Sequence, residues 1–168
     1  MSAEEQNNEL EELLALEEEL QFEQFDYDVA WALGCSIVEL ARSRSLGIVV
    51  AIRRNGQRLF HAALAGTTAD NDDWIERKSR VVDRFAHSSR YVGALVDSAE
   101  SRLSEATFED SYRLDAALFA AHGGAFPIIL KGSGMIGTVT VSGLPQLEDH
   151  GLVVDGIRRF LSSSKKSV

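Results

Sequence analysis

Residues 125–161 read AFPIILKGSGMIGTVTVSGLPQLEDHGLVVDGIRRFL, and the architecture follows from this stretch. Residues 126–131 are apolar and isoleucine-rich; Pro127 has no ladder donor, so it belongs at a strand's start or on a sheet edge. Gly132-Ser133-Gly134 supplies the positive φ angles of a tight reversal. Residues 135–142 then alternate, with Val139 and Val141 on one face and Thr138 and Thr140 on the other. Gly137 within that run marks a bulge or a close approach by another backbone. Gly143 and Pro145 end the strand, and Glu148 and Asp149 suit a first helical turn, where free N–H groups carry partial positive charge. Val153, Ile157, Phe160 and Leu161 recur at helical spacing and bury one face. The stretch is a hairpin followed by an amphipathic helix.

A second hairpin is predicted over residues 47–65, where Asn55-Gly56 suits the two positive-φ positions of a type I′ turn. A two-residue loop pairs Arg54 with Gln57, Arg53 with Arg58, Ile52 with Leu59, Ala51 with Phe60 and Val50 with His61. Arginines directly opposite repel, so that end must be solvated or meet an acidic group. His61 falls on the face of Ile52 and Leu59, as a packed, hydrogen-bonded residue or as a ligand.

Upstream, residues 1–8 are expected to be disordered, and leucines 10, 13, 14, 16 and 20 among glutamates predict an amphipathic helix over 9–24. That helix packs on its own sheet, on a neighbouring subunit, or on a protein partner. Asp26 or Asp28 can cap a second helix buried through Val29, Leu33, Ile37 and Leu40. After the first hairpin, Thr68, Asp70 and Asn71 are competent caps for a helix to about Ser89, with Trp74, Lys78, Val81 and Phe85 on one stripe. Lys78 is the anomaly: an ammonium among apolar neighbours must snorkel or be paired, and Glu148 or Asp149 is the candidate partner. Helical pieces are expected near 94–106 and 108–121, the last closed by Gly123-Gly124.

The domain division expected is an acidic helical extension over 1–25, one folded domain over 26–162 and a flexible tail over 163–168. The fold class expected is α+β: an antiparallel sheet of four to five strands with helices packed on it. At 168 residues the chain has room for one proper core. Its net charge is −9, but 11 of the 26 acidic residues lie within residues 1–28, leaving 15 against 17 basic ones, so the core domain is nearly neutral. No basic face for nucleic acid is evident, no run of about 18 apolar residues suggests a membrane span, and the lone Cys35 suits a reducing cytoplasm.

Two blocks resemble one family. GGAFPIILKGSGMIGTVTVSGLPQLEDHGLVV (123–154) is similar to the signature of small α/β proteins related to the haem-binding HbpS and GlcG proteins. LFHAALAGTTADNDDWIERKSRVV (59–82) resembles the largely uncharacterised branch of that family that also has a yeast member. The resemblance covers about residues 28–162. It implies the same sheet, closed homo-oligomers (dimers or larger) and haem as a candidate cofactor. No Cys-x-x-Cys-His is present, and none of the four histidines (61, 87, 122, 150) sits in a haem box. No metal-ligand spacing appears either.

A site can still be placed. Both second strands end in glycine (Gly66, Gly143), then a polar loop, then a helix N-terminus. If those strands run in one direction, the loops share a rim, and Thr67, Asp70, Asn71, Trp74, Arg77, Lys78, Gln146, Glu148 and His150 become candidate ligand-binding residues for a small polar ligand. Three functions then compete: a self-assembling small-ligand-binding or accessory, chaperone-like cytosolic protein; a haem-binding or haem-degrading protein; and a small-molecule enzyme using the rim.

Overall fold

A computed structural model of the chain describes residues 3–97 and 107–164. In order, the elements are α1 (Ala3–Glu19), α2 (Tyr27–Ser43), β1 (Val49–Arg54), β2 (Gln57–Ala63), α3 (Ala69–Phe85), α4 (Ser89–Val96), α5 (Phe108–Tyr112), β3 (Ala125–Leu130), β4 (Gly134–Ser142) and α6 (Gln146–Ser164). The strands form one antiparallel sheet in the order β2-β1-β4-β3. Four strands lie among the described residues; in place of a fifth, Phe22 makes a single bridge to Leu130 on the outer side of β3. Its N–H donates to Ile129 O at 2.8 Å and its carbonyl accepts from Lys131 N at 3.0 Å, so the Leu130 end of that edge is covered.

The two faces of the sheet differ in chemistry. Val50, Ile52, Phe126, Ile128, Val139 and Val141 face α2 and α6 and pack with Leu33, Ile37, Val153 and Ile157 in the main core. Each fully buried side chain of this size contributes roughly 1.5–3 kcal/mol over its exposed state. The other face meets α3 with Val49 and Ala51 against Ile75, and with a buried polar pair, Ser79 Oγ and Thr140 Oγ1 at 2.9 Å. The alternation of valines and threonines along β4 therefore separates a greasy layer from a partly polar one.

The Asn55-Gly56 turn forms with both φ angles positive, but the register changes beyond it. Arg54 and Arg53 pair with Gln57 and Arg58, then Ile52 pairs with Phe60, Ala51 with His61 and Val50 with Ala62. A bulge thus replaces the expected pairing of Ile52 with Leu59. The extra residue lets Phe60 enter the main core against Gly34, which has no side chain to block the ring, while Arg58 stays beside Arg53. Both arginines then reach Glu76 of α3, Arg58 at 2.8 Å, which relieves their repulsion. His61 moves to the α3 face, where Nε2 lies 2.6 Å from Asp72 Oδ1.

Three further expectations are corrected. Helix α1 starts at Ala3, within the segment expected to be disordered, and ends at Glu19 rather than near 24. Burial of Leu20 and Phe22 turns the chain there. The long acidic helix lies on its own fold: Gln6 Nε2 donates to Asp97 O (3.0 Å), Glu9 pairs with Arg90, and Glu17 accepts from Ser88 N (2.7 Å). Between 89 and 124, α4 begins at Ser89, part of the helix expected near 94–106 lies outside the described residues, and α5 is only five residues long. Arg113 (φ 53°) ends α5 in the left-handed region, so no helix runs to 121 for Gly123-Gly124 to cap. At the C-terminus α6 continues through Ser164; the rest of the expected tail lies outside the described residues.

Candidate functional site

Because β1 is antiparallel to both β2 and β4, those two strands run in the same direction. Their exits, and the first turns of α3 and α6, therefore meet on one rim. Thr68 opens α3 with a capping box to Asn71, whose side chain accepts from Thr68 N at 2.9 Å. Asp149, in the first turn of α6, accepts from Leu144 N at 3.0 Å. Between the two turns lies a cavity of about 230 Å³, bounded by Trp74, His122, Ser142, Leu144, Gln146 and the Lys78–Asp149 pair.

Lys78 is 2 % exposed, and Asp149 is too. The ammonium donates to Asp149 Oδ2 (2.9 Å), Val141 O (2.6 Å) and Gly123 O (3.1 Å). Burial lowers the Lys78 pKa and raises that of Asp149, and attraction between them opposes both shifts. All three ammonium protons are used, so the pair ties α3, β4, α6 and the 122–124 loop together as a saturated clamp. Gly124 makes this possible: at φ 128°, a Cβ there would collide with Lys78 Nζ. Above the clamp, Trp74 carries the Arg77 guanidinium 4.0 Å from its ring centroid and His122 edge-on at 5.3 Å. Burial, with the nearby Lys78 and Arg77 charges, lowers the His122 pKa and keeps its imidazole neutral.

Of the candidate residues, Asp70, Asn71, Trp74, Lys78 and Gln146 line the cavity. Arg77 sits behind Trp74, paired with Asp73 at 2.8 Å. Thr67 turns away to donate to Leu64 O at 2.8 Å. Glu148 is exposed, and His150 is enclosed beside Phe126 with neither ring nitrogen hydrogen-bonded. His122, Ser142 and Asp149 complete the cavity and were not among the candidates. Asp149 was legible as a partner for Lys78. His122 and Ser142 had no local signal, since one lies in an aperiodic loop and the other reads as an ordinary strand end.

The fold and the rim define a small open-sheet α+β protein with a polar cavity between two helix N-termini. A family model described as haem degrading protein HbpS-like matches residues 25–158, and the chain belongs to that HbpS-like family. Among relatives, a UPF0303 protein of Streptomyces avermitilis is 54% identical over 151 residues, covering 90% of each chain. The crystal structure of Ybr137w, from yeast, superposes with a TM-score of 0.82 at 32% identity, over 92% of this chain and 89% of that one. HbpS itself (TM-score 0.60, 17% identity, 81% and 89% covered) and a PduOC:heme complex (0.64, 15%, 80% and 93%) share the fold.

The family name implies haem, and the rim does not fit it. The cavity is smaller than the roughly 300–1,000 Å³ that encloses a drug-sized ligand, and a porphyrin is larger still. Among the described histidines, His61 and His87 are held by Asp72 and Glu17, and His150 is enclosed. His122 alone reaches the cavity, packed edge-on against Trp74.

Proposed function

We propose that the chain is a self-associating small-molecule-binding protein, cytoplasmic by virtue of its lone cysteine, whose ligand sits at the rim between α3 and α6. The observation that carries this reading is the cavity itself. A rigid, charge-saturated floor lies beneath side chains whose polar atoms are left open. Ser142 lines that space, and its hydroxyl has no hydrogen-bond partner among the described residues. Self-association is supported by large apolar side chains left in solvent, Trp31 at 64% and Leu147 at 62% exposure. An accessory, chaperone-like role is compatible with both properties, and no bond-making step is assigned.

A ligand-observed NMR screen of small polar molecules tests the site, with Gln146→Trp to fill the cavity from the exposed start of α6. Saturation transfer seen with the native chain should vanish in the variant. Equal signals from the two proteins, or none from either, would remove the site. Light scattering at micromolar concentration tests assembly, and a monomeric mass would refute it.

A further inference from the structure

We infer that the rim cavity selects a small ligand that is uncharged at neutral pH, carrying both a hydrogen-bond donor and an acceptor, and that it rejects an anion of the same shape. This rests on the rim being a ligand site, and it follows from which polar groups there are already engaged.

The side-chain positive charge around the cavity is committed. Lys78 spends its three protons on Asp149 and two carbonyls, and the second oxygen of Asp149 accepts from Leu144 N. The pair is therefore neutral as a unit and presents no open proton. Arg77 lies behind the indole and is paired to Asp73. The imidazole of His122 is neutral, and Asp70 adds a negative charge at the mouth. An anion entering would shed its hydration, meet Asp70, and find no cation to replace the lost water.

Neutral hydrogen-bonding capacity is open by contrast. The Ser142 hydroxyl both donates and accepts. The ring nitrogens of His122 make no hydrogen bond among the described residues, and as a neutral imidazole they offer one donor and one acceptor. Gln146 uses its carbonyl oxygen on Gly123 N at 3.2 Å, which leaves its amino group available. A primary carboxamide or a vicinal hydroxyl pair matches this set, and the 230 Å³ volume limits it to a small molecule.

Matched isosteres test the inference: nicotinamide against nicotinate, and propionamide against propionate, at equal ionic strength. The two tryptophans give two indole N–H resonances, assigned with Trp31→Phe. Each amide should move the Trp74 resonance saturably and leave that of Trp31 in place, and each carboxylate should bind at least about tenfold more weakly. Ser142→Ala should weaken amide binding, and Gln146→Lys should shift preference toward the carboxylate. Carboxylates that move Trp74 as strongly as the amides would overturn the selectivity while leaving the site in place. No response at Trp74 to any of the four would overturn the selectivity and the site together.

Discussion

Replacing Lys78 by methionine keeps the aliphatic stem and removes the charge. Its side chain is 3 % exposed and that of Asp149 4 %, so the stranded carboxylate has little solvent to turn to. Removing one partner of a buried pair costs about 3–5 kcal/mol, and here the carbonyls of Gly123 and Val141 lose their donor as well. Asp149→Asn should cost a similar amount, since it leaves an ammonium among neutral acceptors. Once one charge is gone, little remains for the second substitution to destroy. The double variant should therefore fall short of the sum by about 2–3 kcal/mol. Urea unfolding at neutral pH measures all three, and for a chain of this size each single variant should melt about 6–20 °C lower. The pH dependence supplies an internal check. In Lys78→Met, burial raises the folded pKa of Asp149 with no ammonium opposing it. Stability from that group is then fully present below its unfolded pKa, near 3.9, and is lost as pH rises through the folded value. The deficit of the variant should shrink in acid. Single costs below about 1 kcal/mol, or a double variant additive to within about 0.5 kcal/mol, would refute the clamp.

Burial, with a contribution from Arg90, lowers the His150 pKa to about 4. Between about 6.5 and 4 the unfolded chain binds the proton that the folded chain refuses, so stability should fall by about 3 kcal/mol as pH drops through that window. In His150→Leu, urea midpoints against pH should lose that slope; a slope unchanged in the variant would contradict the assignment. Gly124→Ala should cost about 3 kcal/mol or more, since it combines φ 128° with a collision at Lys78 Nζ, whereas Gly151→Ala, with open space around its Cβ position in α6, should gain up to about 1 kcal/mol in the same unfolding assay. Haem added to the chain should produce no saturating Soret change that His122→Ala abolishes; a stoichiometric, His122-dependent band would show that the rim opens further than its geometry allows.

Both hairpins were legible because their signals are local: Asn55-Gly56 and Gly132-Ser133-Gly134 carry the turn geometry in the chain itself. The rim was legible only on condition that the second strands of both hairpins run in one direction; the pairing of β1 with β4 as well as β2, which meets that condition, joins segments about 85 residues apart and has no local signal. Lys78 announced a partner by standing in an apolar stripe, and Asp149 was one of two choices. The bulge in β2 was not legible, because it answers a demand from elsewhere in the molecule: Phe60 must reach Gly34 while Arg58 reaches Glu76. Residues 113–121 have helical periodicity, but the left-handed Arg113 interrupts it, and a non-glycine residue in that region gives no advance notice. Four of the candidates do not line the cavity. Thr67, in the loop before α3, turns back to Leu64 O, and Arg77 lies behind Trp74; Glu148 and His150 lie at the start of α6, where consecutive side chains point in different directions and Gln146 and Asp149 line the cavity.

An open four-stranded sheet has two edges, and each is a template for strand addition and fibrous aggregation. Here the Leu130 end of the β3 edge is met by Phe22 from the chain itself. The β2 edge is kinked by its bulge and carries Arg58 and His61, each held by a carboxylate of α3. Neither edge offers the flat, uncharged ladder that a second sheet would need to extend it. Side chains on helical faces offer another surface, where Trp31 and Tyr27 stand in solvent on α2. Contacts of that kind add nothing to the backbone ladder, so a sheet with two ends need not become the first layer of a fibril.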